Sequence, residues 1–272
     1  MSKFFIVSMI VISFVLLSAG ALFAADNQQY TFEVKLLLNP TKVLDSNNVL
    51  VKDLQDLFAV DKTNQREVIY IETSDRSFNN DGWSNRLREK EGKKKLELTY
   101  KKRYTVDGTD IDAAFEKAVK ANPGFINGEY DAQIDWGYNK MTLSFALEVK
   151  IEKPKGGLKS ISEKDLVSAL MSNMPTEEYE WVRSRFKSDK IPNVRIAGPI
   201  DYIRYTGSFK DVEVNIEVWQ IKDTIVTELS FEADDFETAS ILRTEIIDIL
   251  DSREILLHHD SLKTQMILDA YI

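Results

Sequence analysis

The chain has 272 residues, of which 43% are hydrophobic, and this is enough for one large domain or two small ones with a sizeable core. Its formal net charge of -9 argues against a protein that coats nucleic acid through bulk charge, and its mean hydropathy of -0.26 argues against a polytopic membrane protein. The sequence has no cysteine, which excludes disulfides, thiolate metal sites and cysteine nucleophiles.

The first 25 residues have the pattern of a targeting segment. Lys3 precedes an apolar stretch over residues 4–23, and small residues follow as far as Ala25. This order predicts a secretory signal peptide over residues 1–25. Because a run of roughly 20 apolar residues is also long enough to span a bilayer, an uncleaved membrane anchor is the alternative. In either case we expect an exported protein, periplasmic or extracellular, or one held at the membrane by its N-terminal segment.

The remaining residues, 26–272, have the pattern of strands interrupted by helices. Alternating apolar and polar side chains predict strands, which lie at 31–37, 68–73, 83–88, 95–106, 140–151, 194–197, 202–205, 212–220 and 225–233. Apolar residues at helical spacing predict helices at 49–59, 110–121, 162–174 and 176–187. A longer helix is predicted to begin after a cap at Asp234 and to end at about 250. The segment 262–271 is predicted as a short strand or helix. About eight alternating strands predict a closed antiparallel β-barrel.

Charged side chains recur at every second position on the polar faces of these strands. The cations are Lys35, Arg86, Arg88, Lys101 and Arg103, and the carboxylates are Glu33, Glu213, Glu217, Glu228 and Glu232. In a barrel one face of each strand points inward, so these charges could line the lumen. A polyphosphate with a divalent cation would then compensate both signs, because buried charges are costly without a partner. The alternative is that these are ordinary solvated strand faces.

Five segments in a fixed order resemble the CYTH family of triphosphate tunnel proteins. The first, at 31–35 (TFEVK), is similar to that family's Glu-x-Glu-x-Lys signature. A strand end at 70–75 (YIETSD) then precedes 82–88 (GWSNRLR) and 98–101 (LTYK), which resemble the family's arginine- and lysine-bearing strands. The last, at 228–232 (ELSFE), comes before a long helix and looks like the family's late acidic strand.

The resemblance implies an α+β fold over residues 26–272, built on an eight-stranded antiparallel barrel with inserted and flanking helices and a helical insert around 110–190. It further implies divalent-metal-dependent hydrolysis of a triphosphate-bearing substrate. The phosphate-binding residues carried over are Lys35, Arg86, Arg88 and Lys101, and Arg103 on the polar face of the same strand as Lys101 joins them. The implied ligands of Mg²⁺ or Mn²⁺ are Glu33, Glu228 and Glu232.

Two departures from the family pattern affect the implied metal site. Thr31 stands where the first signature glutamate would be, and Ser230 stands where a third late carboxylate is common. Metal affinity should therefore fall unless Glu148, Glu213 or Glu217 compensates. The alternatives are a catalytically inactive CYTH-like protein that binds a polyphosphate, another anionic ligand or an envelope protein partner, and a structural envelope protein. The expected partner is a triphosphate or polyphosphate small molecule, with no sequence-specific nucleic acid.

Overall fold

The computed structural model describes residues 30–260 and 262–272, so the predicted signal peptide or anchor lies outside the described residues. Within them no helix is both long enough and apolar enough to cross a bilayer. The strands of the described residues are β1 (Thr31–Leu38), β2 (Lys62–Thr73), β3 (Trp83–Lys90), β4 (Lys95–Thr105), β5 (Asp131–Trp136), β6 (Met141–Glu152), β7 (Val194–Phe209), β8 (Val212–Ile221) and β9 (Thr224–Ala233).

These nine described strands close into one barrel in the order β1-β5-β6-β4-β3-β2-β7-β8-β9. β1 and β5 pair in parallel, and the other neighbours pair antiparallel. The α+β class and the closed barrel are confirmed, whereas the expected eight antiparallel strands are corrected to nine mixed strands. The strand that the sequence analysis missed is β5, which has six residues.

One other expectation about strands is corrected by the structure. The short strands predicted at 194–197 and 202–205 form the single strand β7, which runs through a cis peptide bond between Gly198 and Pro199. The register between β2 and β7 shifts between Val68 and Tyr70, and this irregularity accommodates a proline that has no amide hydrogen to donate. The segment 110–190, expected as a helical insert, contains helices together with β6, which was predicted as a strand at 140–151, and β5, which was not predicted.

The helices of the described residues lie outside the barrel wall or across one of its ends. They are α1 (Pro40–Val43), α2 (Lys52–Leu57), α3 (Ser77–Asn80), α4 (Ile111–Ala121), α5 (Glu163–Ser172), α6 (Thr176–Phe186), α7 (Phe236–Ser252) and α8 (Lys263–Tyr271). The N-cap of α7 is Asp235, whose side chain accepts a hydrogen bond from the Thr238 amide, and not Asp234 as expected. The C-terminal segment, which the sequence left as strand or helix, is the helix α8.

The main hydrophobic core lies between the barrel wall and the helices. On β1, Phe32, Val34 and Leu36 are fully buried against this layer, and α7 packs against β1 and β9. The Phe32 ring meets the Phe236 ring of α7 with 5.8 Å between centroids. Because the apolar faces point outward and are covered by helices, burial of apolar area stabilises the fold without filling the lumen. The lumen is thereby left for the polar faces of the strands.

The connection between β2 and β3 is organised by Glu72. Its carboxylate accepts hydrogen bonds from the Phe78 amide at 3.0 Å and the Asn79 amide at 2.9 Å. Burial raises the pKa of Glu72, and these amide hydrogen bonds oppose the rise. Glu72 therefore acts as a structural residue that directs the chain into β3, the strand that carries Arg86.

Candidate functional site

The charged faces of the strands enclose one cavity of about 950 Å³ inside the barrel. All eight site residues predicted from the sequence line it: Lys35, Arg86, Arg88, Lys101, Arg103, Glu33, Glu228 and Glu232. Thr31 and Ser230, the two departures from the family pattern, line it as well. The structure therefore brings the predicted residues together, while their individual roles stay predictions.

Asp135 links two of the lysines in the cavity. Its carboxylate lies 2.6 Å from Lys35 Nζ and 3.0 Å from Lys101 Nζ. Burial lowers the pKa of Lys101 to about 8, helped by the nearby charges of Lys35 and Arg103 and opposed by Asp135. Burial would also lower the pKa of Lys35, but the carboxylates of Asp135 and Glu33 outweigh it and raise that pKa. Lys101 is thus the lysine of this pair that titrates close to neutral pH.

Arg86 and Arg103 both present guanidinium groups to the cavity. Within residues 30–260 and 262–272 neither forms a hydrogen bond or an ion pair, and Nε of Arg86 is buried without an acceptor. Burial and the like charge of Arg86 lower the pKa of Arg103, against the effect of Asp135. Two cations that line the same lumen and form no ion pair among the described residues create a site for an anion.

Arg88, by contrast, is held in a cluster of ion pairs. Its guanidinium lies 2.7 Å from Glu97 and 3.2 Å from Glu148. Glu97 also binds Lys90 at 2.6 Å, and it binds Lys150. Burial would raise the pKa of Glu97, but hydrogen bonds from the two lysines and the charge of Arg88 lower it to about 2. Arg88 lines the cavity with its charge already compensated.

Four glutamates of the cavity form two pairs. In the first, Glu33 and Glu232 face each other across β1 and β9, and Lys35 lies 2.6 Å from Glu33. Partial burial and the charge of Glu33 raise the pKa of Glu232. In the second group, Glu228 and Glu217 share Lys263 of α8, at 2.8 and 2.5 Å.

The carboxylates suggested as compensation for Thr31 and Ser230 do not join Glu33. Glu148 binds Arg88 and Lys150, and Glu217 binds Arg204 at 2.6 Å as well as Lys263. Glu213 accepts a hydrogen bond from Asn215 and does not line the cavity. Among the described residues no group of three or more histidines, aspartates or glutamates is arranged to hold a metal ion.

A divalent cation that arrives with a phosphate ligand fits the cavity better than a permanently bound one. Mg²⁺ is typically bound by one or two carboxylates, with phosphate oxygens and water completing its shell. Glu33 and Glu232 provide such a pair, and burial together with the charge of Glu33 raises the pKa of Glu232. In the other pair Lys263 binds both Glu228 and Glu217, whereas Glu232 forms no ion pair among the described residues.

Several residues of the cavity were not predicted from the sequence. Asp135 was missed together with β5, although Ala132, Ile134 and Trp136 do alternate with polar residues there. Arg204 lies on a segment that was predicted as a strand, but nothing in its surroundings marked it as functional. Lys263 had no sequence signal at all, because only the docking of α8 brings it into the cavity.

Neither a family model nor a curated protein matches this sequence. Two solved structures are similar in fold. The candidate adenylyl cyclase HpAC1 from Hippeastrum, for which a dominant triphosphatase activity is stated, aligns with a TM-score of 0.57 and 12% identity over 88% of this chain and 96% of that one. A candidate adenylate cyclase from Bacillus halodurans aligns with a TM-score of 0.51 and 15% identity over 87% of this chain and 96% of that one. The chain thus has the CYTH-type fold that its motifs indicated.

Proposed function

We propose that the cavity binds the triphosphate group of a small molecule and that the protein hydrolyses it with Mg²⁺ or Mn²⁺. One observation carries the proposal. Inside a closed barrel, the guanidinium groups of Arg86 and Arg103 form no hydrogen bond or ion pair within the described chain. Cations in that position require an anion, and phosphate oxygens match the donors of guanidinium groups. The triphosphatase activity stated for the Hippeastrum protein of the same fold supports this choice of anion.

The residues of the cavity would divide the work by charge. Arg86, Arg103 and Lys101 would neutralise phosphate oxygens on one side of the lumen, with Lys35 positioned by Asp135. Glu33 and Glu232 would hold the divalent cation, whose chemistry is to withdraw charge from phosphate oxygens and lower the pKa of a bound water. The closed wall would keep bulk water from the bound phosphates, which strengthens each of these interactions.

Binding without hydrolysis is the second candidate, and one observation favours it. The carboxylates available to a cation are reduced to Glu33 and Glu232, because Lys263 occupies Glu228 and because Thr31 and Ser230 carry no charge. A protein with this set could retain a polyphosphate or another anionic ligand while having lost catalysis. We also propose that it acts outside the cytoplasm, in the periplasm or the extracellular space, since residues 1–25 have the pattern of an export signal.

Release of phosphate by the purified protein tests the proposal. Inorganic triphosphate, ATP and thiamine triphosphate would each be supplied with Mg²⁺ or Mn²⁺, for the wild type and for the Arg86→Ala and Glu33→Ala variants. Lys52→Ala is the matched control, because among the described residues Lys52 pairs only with Asp56, on the surface. We expect metal-dependent release that is lost in the two cavity variants and kept in the control.

The other outcomes separate the two candidates. If no phosphate is released while triphosphate raises the melting temperature of the wild type but not of Arg86→Ala, the binding function holds and hydrolysis is excluded. If triphosphate neither is hydrolysed nor raises the melting temperature, the proposed ligand class is wrong and only the fold remains.

A further inference from the structure

The C-terminal helix α8 places a lysine inside the cavity. Lys263, the first residue of α8, lies with Nζ 2.5 Å from Glu217 and 2.8 Å from Glu228. The same ammonium lies 4.5 Å from the centre of the Trp219 ring, on whose face a cation is stabilised. Both carboxylates thus lie within ion-pair distance of the ammonium.

The docking of α8 is determined by contacts outside this ion pair. Ile267 and Leu268 are fully buried in a second apolar cluster with Leu37, Val68 and Trp219. At the surface of the helix, Arg76 binds Asp269 at 2.5 Å and Asn79 binds Gln265 at 3.0 Å. These contacts hold α8 across the end of the barrel where β1 ends. The packing of α8 against the barrel therefore places the Lys263 ammonium next to the carboxylates.

The charges around Lys263 balance without any bound ion. Glu217 accepts two hydrogen bonds from Arg204, at 2.9 and 2.6 Å, and one from Trp219 Nε1 at 2.9 Å. Arg204 and Lys263 supply two positive charges, and Glu217 and Glu228 supply two negative charges. Two neighbouring carboxylates in a cavity that binds phosphates are otherwise a site for a divalent cation, since carboxylate oxygens are the ligands such ions prefer.

We propose that Lys263 is an internal cation that occupies the Glu217–Glu228 carboxylate pair in place of a divalent metal ion. A divalent cation can then bind this pair only if Lys263 leaves it, so α8 and the metal compete for the same oxygens. The two carboxylate pairs of the cavity accordingly differ: Lys263 binds both members of the Glu217–Glu228 pair, whereas in the Glu33–Glu232 pair Lys35 binds Glu33 and Glu232 forms no ion pair among the described residues. This inference concerns cation binding and does not depend on whether the protein hydrolyses a phosphate.

Binding of Mn²⁺ without any phosphate tests the proposal, with the free ion followed by its electron paramagnetic resonance signal. Lys263→Met removes the ammonium and should open the Glu217–Glu228 pair, so the variant should bind one additional Mn²⁺ per chain. Its affinity for Mn²⁺ at this pair should exceed that of the wild type by about tenfold or more, which corresponds to about 1.4 kcal/mol. The double variant Lys263→Met with Glu228→Gln should lose that gain. Lys263→Arg keeps a cation in place and should bind Mn²⁺ as the wild type does.

A second arm uses the wild-type lysine, so the test does not rest on a variant that fails to fold. With Lys263 in place, Glu228→Gln should leave Mn²⁺ binding unchanged, because Glu228 holds no metal there. The proposal is overturned if the single variant Glu228→Gln binds Mn²⁺ more weakly than the wild type does. It is also overturned if Lys263→Met unfolds cooperatively, and so is folded, but binds no additional Mn²⁺. Failure of the proposed function would be recognised separately, as an absence of phosphate release and of triphosphate binding.

Discussion

Glu33 on β1 and Glu232 on β9 occupy directly opposed positions, and both side chains line the cavity. Like charges at opposed positions of an antiparallel pair destabilise it, and here part of that cost appears in the raised pKa of Glu232. Lys35 lies 2.6 Å from Glu33 and partly offsets its negative charge, but Lys35 also binds Asp135. The pair is therefore the part of the cavity where a bound cation would gain most.

Replacing Glu232 with Gln should separate metal binding from stability. The variant loses a negative charge that repels Glu33, so we expect its melting temperature without metal to exceed that of the wild type. Stabilisation by Mn²⁺, measured as the rise in melting temperature at saturating ion, should be lost. Glu213→Gln, on β8 outside the cavity, is the control and should keep that stabilisation. A Glu232→Gln protein that is still stabilised by Mn²⁺ as the wild type is would argue against this carboxylate pair as the metal site.

Arg86 and Arg88, two residues apart on β3, should respond in opposite ways to substitution by Met. Arg86→Met removes a cation without a partner in the described chain, so the ligand-free protein should melt at a higher temperature. Arg88→Met leaves Glu97 and Glu148 without their guanidinium, so it should melt at a lower temperature. Calorimetric melting curves of the two variants measure this contrast.

The Arg86→Met and Arg88→Met variants should also differ in their affinity for the ligand. Arg86→Met should weaken binding of inorganic triphosphate by about 10- to 100-fold, the effect of losing a charge-assisted hydrogen bond of about 1.5–3 kcal/mol. Isothermal titration calorimetry measures the affinity directly. Equal losses of melting temperature in Arg86→Met and Arg88→Met would show that Arg86 has a partner in the folded protein and would remove the main support for an anion site.

Binding of triphosphate should depend on pH through Lys101. The pKa of Lys101 is lowered from 10.5 to about 8, so above pH 8 the ligand-free protein has lost a proton that binding requires. The affinity should then fall by up to about tenfold per pH unit until the pKa of the complex is reached. Lys101→Arg keeps its charge over this range and should flatten the profile. An unchanged pH profile in Lys101→Arg would place the titrating group elsewhere.

Lys101 should also affect stability in the ligand-free protein, with the opposite sign. Between pH 8 and 10.5 the unfolded chain binds a proton on Lys101 that the folded chain has lost. Unfolding therefore takes up a proton in this range, so the contribution of Lys101 to the free energy of unfolding rises with pH. Chemical denaturation of the wild type and of Lys101→Arg at pH 8 and 10 measures the difference.

Glu178 should make the protein less stable as the pH rises toward 8. The residue is fully buried on α6, one oxygen accepts a hydrogen bond from Asn85 at 2.6 Å, and the other has no partner among the described residues. Burial raises the pKa of Glu178 from 4.5 to about 8. Between these values the folded state holds a proton that the unfolded state has lost. The free energy of unfolding should therefore fall by about 1.4 kcal/mol per pH unit, and remain level above pH 8.

Glu178→Gln is the variant that checks this pH dependence. Its neutral amide removes the titration, so its stability relative to the wild type should increase between pH 4.5 and 8. Glu180→Gln is the control on the same helix, since Glu180 is exposed. Parallel stability profiles for the wild type and Glu178→Gln, from chemical denaturation at several pH values, would contradict the assignment.

Alternation along single strands was enough to predict most of the barrel and the faces that carry charge. Successive side chains of a strand point to opposite sides, so spacing alone assigns the residues of β1 to two faces. One face carries Phe32, Val34 and Leu36, and the other carries Glu33 and Lys35. The order of the motifs then predicted the fold. The placement of all eight candidate residues in one cavity follows from these two local facts and from closure of the sheet.

Which charges are compensated was decided only by the tertiary structure. Arg86 and Arg88 are the same residue type on the same face of β3, yet Arg86 forms no ion pair in the described chain, whereas Arg88 is bound by Glu97 of β4 and Glu148 of β6. Lys263 reaches Glu228 from a helix at the far end of the chain. Strand register and helix docking set these distances, and the energy of an ion pair depends on distance and burial. The sequence by itself determined where the charges point, and the fold decided which of them remain available to a ligand.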